Sequence, residues 1–287
     1  IDAIHSGIWW ADRWVDSNRH ALPENMPWVI TMHGCHESIL ANPGIDPSFP
    51  ERLPRMIARA NWVYTAEKNL KVFDTFGRPA VLTRIANGVN EEPETETLRR
   101  ADLGLRDHAT VLCLASRAIA SKGWHEAVRL TERLNREGHD VDLMLIGEGP
   151  AADDIRRDAP PHVILTGQVA NLHDYFRICD IGLLPSYFVG ESLPLVLLEM
   201  MAKGLPLVAS EIGEIPWIVG CDADAAGLLV PLKGDGVDED ALHAAVVRLL
   251  DAGYRATMAK AARRRYEADF TIERMVDRYA RLYLEEF

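Results

Sequence analysis

Short apolar runs alternate with amphipathic stretches along the whole chain, the mark of repeated βα units around parallel sheets. The runs predict strands at Trp28–Met32, Trp62–Thr65, Val81–Ile85, Thr110–Ala115, Asp142–Ile146, Val163–Thr166, Ile181–Leu184 and Leu207–Ala209. Several are apolar on both faces, as strands covered by helices on both sides are. Ile1 to His5 reads as a further short buried strand. From Lys122 to Gly138 the apolar positions Trp124, Ala127, Val128, Leu130 and Leu134 fall close to a helical stripe that Gly138 ends. Apolar positions at Ile272, Met275, Val276, Tyr279, Leu282 and Tyr283 predict a long last helix after an Ala- and Arg-rich one.

The chain has 287 residues, room for about two domains at roughly 150 residues each. Between Val89 and Leu105 the composition turns acidic and poor in apolar side chains, as interdomain linkers often are. The expected division is therefore a domain over residues 1–95, a second over 96–270, and a C-terminal helix over 271–287. Residues 1–100 carry 11 basic and 13 acidic side chains, and residues 101–287 carry 20 and 30, so most of the acid lies in the second domain. The first segment holds only about three βα units at ~30 residues each, too few for a doubly wound sheet with both edges protected. The expected fold class is α/β with two parallel-sheet domains, the N-terminal one incomplete.

A content of 48% apolar and 26% charged residues describes a globular chain and excludes disorder and coiled coil. The longest apolar stretches, such as Leu193 to Leu198, fall short of the ~20 residues of a spanning helix. A net charge of −12 repels long polyanions, so no nucleic-acid partner is expected. The triplet Arg263-Arg264-Arg265 reads as a solvated helix face. Cys35, Cys113, Cys179 and Cys221 are far apart and form no C-x-x-C pair, which suits reduced thiols and a cytoplasmic location.

Two blocks carry candidate chemistry. In Leu183 to Val208 a strand ends at Pro185, a loop with Gly190 follows, and Pro194 suits the first turn of a helix from Leu195 to Lys203 that Gly204 stops. Such an N-terminus offers free N–H groups beside Glu191 to Leu195. A carboxylate can accept from two neighbouring hydroxyls at once, as on a ribose diol, so Glu191 and Glu199 are candidate sugar ligands. The plainer alternative makes Glu191 a charge cap and Glu199 a surface residue. Glu199 sits among Leu197, Leu198, Met200 and Met201, where a carboxylate needs a partner. In the second block, Leu112 to Trp124, Arg117 and Lys122 leave a strand end just before a helix, a plausible diphosphate site at the carboxyl edge of a parallel sheet. Taken alone, two loop cations are commonly no more than solvated.

With these residues on the page the chain resembles a known family. Arg117-x4-Lys122-Gly123, Leu145-Ile-Gly-Glu-Gly-Pro150, Leu165-Thr-Gly167, Asp180, Glu191-x7-Glu199, Met201-Ala-x-Gly204-x-Pro206-x-Val208 and Gly227-Leu-Leu-Val-Pro231 look like the nucleotide-sugar domain of family 4 retaining glycosyltransferases of the GT-B fold, also known as group 1. The resemblance is strong from about residue 105 to 287. It is looser over 1–90, through Val29-Ile-Thr-Met-His33-Gly34, Ala60 to Ala66 and Ile85-Ala-Asn87-Gly88-Val89. It implies two Rossmann-like domains, with the last helix crossing back to the first. It also implies that Arg117 and Lys122 grip the donor diphosphate, Glu199 the ribose, and Glu191 the hydroxyls of the transferred sugar. Backbone around Ser192, Leu193 and Leu195 would complete the site, Val169 would border the base, and His33 would reach toward the donor sugar. Glu191 is followed by Ser-Leu-Pro where many members have Gly-Phe-Gly, and Gly213-Glu214 replaces a common Gly-Gly. The glycine-rich loop after the family's first N-terminal strand has no counterpart.

The expected function is transfer of a sugar, with retention, from a UDP or GDP sugar to a carbohydrate or glycolipid hydroxyl, at the inner face of a membrane if the N-terminal domain makes peripheral contact. A sugar-nucleotide epimerase and a binding module without turnover are the alternatives. No cofactor or metal is expected: His33, Cys35 and His36 share one loop without a second pair at ligand spacing, and Asp222-Ala-Asp224 and Asp238-Glu-Asp240 read as solvated turns.

Overall fold

Four parallel strands, β1 (Ile4–Ser6), β2 (Trp28–Met32), β3 (Asn61–Tyr64) and β4 (Leu82–Arg84), lie side by side in chain order, with Ile30 opposite Trp62 and Trp62 opposite Leu82. Alternation sorts their side chains onto two faces. Trp28, Ile30, Met32 and Trp62 pack with Val15 of the Trp9–Ser17 helix and Leu53, Met56 and Ile57 of the Phe49–Arg59 helix. Val29, Val63 and Ile85 pack with Leu282, Met275, Tyr279 and Tyr283 of the C-terminal helix Ile272–Glu286. The computed structural model describes residues 2–34, 36–42, 44–93, 95, 97–220 and 224–286. Two compact units emerge, Ile1–Asn87 with Glu273–Phe287, and Gly88–Ile272.

The second unit is built on six parallel strands: β5 (Thr110–Ala115), β6 (Val141–Ile146), β7 (Val163–Gly167), β8 (Ile181–Leu184), β9 (Leu207–Ser210) and β10 (Gly227–Val230), in spatial order β10-β9-β8-β5-β6-β7. β6 and β8 are buried along their whole length and β5 at all but its first residue, which is why the sequence reads as continuous apolar runs there. Asp142 is the exception within β6, and Arg106 pairs with its carboxylate at 2.7 Å. β10 carries the Gly227 to Pro231 motif but was not among the expected strands. The run is short, and Gly227 approaches so closely that a Cβ there would meet the Leu207 carbonyl oxygen at 2.0 Å.

Three further local expectations change. Pro194 caps its helix from outside, and the helix runs Leu195–Ala202. A turn of 3-10 helix, Ala120–Lys122, precedes the Trp124–Arg136 helix. The Arg263 to Arg265 triplet is solvated only at Arg264. Arg263 donates to the Ala202 carbonyl and pairs with Glu91 and Glu267, Arg265 donates to the Ile218 and Trp217 carbonyls, and Arg264 pairs with Asp224. Two of the three close the last turns of other helices.

The acidic stretch after Val89 belongs to the second unit. Val89 donates to Phe270 and forms a bridge with Thr271, Thr95 bonds Asp174 through both its N–H and its hydroxyl, and Arg177 donates to the Leu98 carbonyl. Glu94 and Glu96 lie outside the described residues. Among the described residues no helix is long and apolar enough to cross a membrane.

Hydroxyls tie the C-terminal helix to the first sheet. His5 Nε2 bonds Thr31 Oγ1 at 2.8 Å, Thr31 Oγ1 bonds Tyr279 Oη at 2.8 Å, and Tyr283 Oη bonds His5 Nδ1 at 2.8 Å. Tyr279→Phe is expected to lower the stability of the first unit by about 1 kcal/mol, because it leaves a buried Thr31 hydroxyl with one partner fewer. Amide exchange should report this as faster opening of residues 273–284, with the second unit unaffected.

Candidate functional site

Strand order reverses direction in the second unit between β5 and β8, and the crevice beyond the carboxyl ends of such strands is where ligands of open α/β sheets bind. Both candidate blocks leave the sheet here, Arg117 after β5 and Pro185 to Pro194 after β8. Two glycines let neighbouring loops close on each other. Gly123 has φ +79°, and a Cβ would stand 2.3 Å from the Pro185 carbonyl oxygen. Gly147 has φ +135°, and a Cβ would stand 2.1 Å from the Ser116 carbonyl oxygen. Neither position tolerates a side chain without backbone movement.

The β8 loop is fastened to the β5 loop. Tyr187 N–H donates to the Ser121 carbonyl at 2.9 Å, and Lys122 Nζ donates to Glu191 Oε1 in an ion pair that leaves the two side chains 12% and 5% exposed. Ser186 Oγ, fully buried, donates to the same Oε1 at 2.8 Å. Oε1 is therefore occupied twice, and Oε2 is the oxygen left for a ligand. Arg117 is exposed and has no carboxylate partner among the described residues. Its guanidinium lies 5.9 Å from the centre of the Phe188 ring and Lys122 Nζ lies 5.0 Å from it.

Ser192 and Leu193 precede the Leu195–Ala202 helix, and the amide N–H groups of Ser192, Leu193, Leu195 and Val196 meet no backbone acceptor among the described residues. The buried Ser192 hydroxyl has no partner among them either. Unpaired donors of this kind at a helix N-terminus suit an anionic or polyhydroxylated ligand. The Ser192 carbonyl, by contrast, is taken by Glu214 N–H at 2.9 Å, so Gly213-Glu214 supports this turn from beneath.

Beside these groups opens a hollow of about 410 Å3 lined by Arg117, Glu148, Gln168, Val169, Leu172 and Val196, among others. Val169 and Arg117 thus share one cavity. Glu199 stands one turn along the helix from Val196. Burial pushes its carboxyl above the usual value, and the partner expected for it is missing: no side chain among the described residues bonds or pairs with it. His33 follows β2 in the first unit, where burial and then His36 hold its imidazole below the ordinary value, against a smaller opposing pull from Asp12. A larger hollow of about 850 Å3 lies at the opposite, N-terminal ends of β2 and β3, away from the strand ends that carry the candidate chemistry.

The residues weighed and set aside as metal ligands are found in other contacts. His36 pairs with Asp12 at 2.8 Å in a fully buried contact, and Cys35 lies outside the described residues. Asp238 caps the Glu239–Leu250 helix through the N–H groups of Asp240 and Ala241, Asp240 pairs with Arg133, and Asp222 lies outside the described residues. No group of three potential ligands converges among the described residues. Ser186 and Phe188 were not legible as site residues. Both lie inside the Leu183 to Val208 block, but nothing in the chain shows that a hydroxyl and a ring there meet Glu191, Arg117 and Lys122.

Two parallel-sheet α/β units with an open crevice at a strand-order reversal define the GT-B class of Rossmann-like folds. Solved structures agree: the sucrose-phosphate synthase of Thermosynechococcus elongatus superposes with a TM-score of 0.76 at 24% identity, covering 100% of this chain and 74% of the other. Anabaena HepE, solved in complex with UDP, gives 0.79 at 17% identity, covering 99% and 79%. Residues 108–252 match the family model described as "Glycosyl transferases group 1", and the chain belongs to that family. Among curated relatives, the GDP-mannose-dependent monoacylated alpha-(1-6)-phosphatidylinositol monomannoside mannosyltransferase of Corynebacterium glutamicum is 27% identical over 241 residues, 78% of this chain and 61% of the relative. The GDP-mannose-dependent alpha-(1-6)-phosphatidylinositol monomannoside mannosyltransferase of Mycolicibacterium smegmatis is 30% identical over 211 residues, 68% and 53%. The chain thus spans about half to three-fifths of the length of these relatives.

Glu199 gives a pH-dependent expectation. Its folded carboxyl titrates above its unfolded value, so the ionised form burdens the folded state, and stability falls as pH rises from about 4.3 through the folded value. Glu199→Gln should therefore raise the thermal midpoint of the second unit by a few °C at pH 7, and the gain should vanish near pH 4. Calorimetric scans of both proteins across that range measure it.

Proposed function

We propose that this protein transfers a sugar from a nucleoside-diphosphate sugar to an acceptor hydroxyl with retention at the anomeric carbon. The acceptor is a carbohydrate or glycolipid. The observation that carries the reading is the meeting of Arg117, Lys122 and Glu191 with unpaired amides at the β5/β8 reversal, inside the segment that matches the family.

The roles follow from charge. When the anomeric C–O bond breaks, negative charge grows on the departing diphosphate, and cations fixed beside it stabilise the transition state more than the ground state. Arg117 is open to such an anion, and Lys122 reaches it by sharing or exchanging its bond to Glu191. Glu191, held at Oε1 by Lys122 and Ser186, orients the sugar by accepting from one of its hydroxyls through Oε2. The free N–H groups of Ser192, Leu193 and Leu195 take phosphate or sugar oxygens. Glu199 accepts from the ribose diol, which supplies the partners the carboxylate lacks, and the base lies against Val169.

Retention without a covalent intermediate has a simple accounting. The anomeric carbon loses the phosphate oxygen and gains the acceptor oxygen on the same face, and the acceptor proton passes to the departing phosphate oxygen. No metal enters the scheme, since the two side-chain cations meet the charge.

Lys122→Ala is expected to lower kcat by a factor of about 10² to 10³, while Glu199→Ala should mainly raise KM for the donor, by about ten-fold. Calorimetry with UDP, GDP and ADP followed by assays of transfer and donor hydrolysis tests this. Equal turnover and equal donor affinity in both variants would overturn the assignment, and nucleotide binding without either reaction would leave a binding module.

A further inference from the structure

Phe188 belongs to none of the roles above, yet both candidate phosphate cations lie over its ring. Its ring centre lies 5.0 Å from Lys122 Nζ and 5.9 Å from the Arg117 guanidinium, within the range of cation–π attraction. The ring is not there to fill a core: Phe188 is half-buried, and its neighbour Val189 is 88% exposed. The loop is nevertheless shaped around it. Phe188 N–H donates to Ser186 Oγ at 3.3 Å, and its carbonyl accepts from Glu191 N–H at 2.9 Å. A Cβ on Gly190 would stand 2.4 Å from the ring edge, so only a glycine leaves room for the ring where it sits.

We propose that Phe188 is a positioning residue for the diphosphate: its π face holds Arg117 and Lys122 together as one cationic clamp before the donor arrives. This rests on the reading of the site as one for a nucleoside-diphosphate sugar. Two like charges repel, and an unpaired arginine in a loop otherwise samples many rotamers, so assembling the pair at the moment of binding weakens affinity. The ring offsets both costs. Its face attracts the Arg117 guanidinium without neutralising it, so that charge remains available to phosphate oxygens, and it holds Lys122 close by while the ammonium shares its bond to Glu191. A carboxylate in the same place would hold the cations and compete with the ligand.

The test compares each nucleoside diphosphate with its nucleoside, by calorimetry on the whole chain: UDP with uridine and GDP with guanosine. The difference isolates the contribution of the phosphates. In the wild type the diphosphate binds more tightly. Phe188→Leu and replacement of Phe188 by 3,4,5-trifluorophenylalanine, which keeps the shape and removes the negative face, should each weaken diphosphate binding by about five-fold and leave nucleoside binding unchanged. Mono- and difluoro rings should fall between in order, and Phe188→Tyr should bind as the wild type does. The fluorinated series carries the test if Phe188→Leu does not fold. Unchanged diphosphate affinity through that series overturns the proposal, as does an equal loss for nucleoside and diphosphate, which would make the ring a base contact or a structural residue. A wild type that binds no nucleoside diphosphate overturns the site reading itself, and this inference with it.

Discussion

The buried ion pair between Lys122 and Glu191 is the constraint on which the second unit's crevice depends. Taking two charges out of water costs more than their mutual attraction returns unless further hydrogen bonds share the burden. Here Ser186 supplies one, and the Phe188 face supplies a second attraction for the ammonium. The pair joins residues 69 positions apart and so sews the loop after β5 to the loop after β8, the two loops that flank the strand-order reversal. Removing either partner alone would leave the other charged and dry, which is more damaging than removing both. Gly123 is part of the same device. Without its close approach to Pro185, Lys122 would not reach across.

Around this satisfied pair the site is left unsatisfied. Among the described residues Arg117 meets no carboxylate, four amides meet no backbone acceptor, buried Ser192 Oγ has no partner, and half-buried Glu199 meets no cation. Proteins ordinarily pair such groups, and places where several remain open together are functional more often than accidental. The signs are also arranged. Cations and N–H donors lie toward the start of the Leu195–Ala202 helix, and the free carboxyl lies further along it, as a ligand with phosphate at one end and a diol at the other requires.

Much of this frame was legible in the sequence because it rests on local pattern. Trp28–Met32, Thr110–Ala115 and Ile181–Leu184 begin and end where their apolar runs do, since burial on both faces leaves no ambiguity of phase. Glu199 stood out as a carboxylate in an apolar run, Glu191 as a carboxylate beside a helix start, and Arg117 and Lys122 as cations between a strand end and a helix. Pairings across long sequence separation were not legible. Nothing near Arg263 or Arg265 announces that they close the helices ending at Ala202 and Val219. A lone ring such as Phe188 carries no periodic signal, and its neighbours come from a loop some 70 residues earlier.

The two glutamates mark the difference between a residue's identity and its state. On paper they are equivalent carboxylates eight positions apart. In the fold Glu191 is the more buried, yet a cation and a hydroxyl bind it, while Glu199 is less buried and meets no partner among the described residues. Burial without compensation raises a carboxyl's proton affinity, and it pushes the Glu199 carboxyl upward. Glu191 is therefore an oriented anchor whose geometry is set before any ligand enters. Glu199 is held at a disadvantage that hydrogen-bond donors from a ligand would relieve, and relief of that kind appears as binding free energy. One helix and its preceding loop thus present a pre-assembled acceptor and an unfulfilled one, which suits a ligand gripped first at its charged end and then along its sugar hydroxyls.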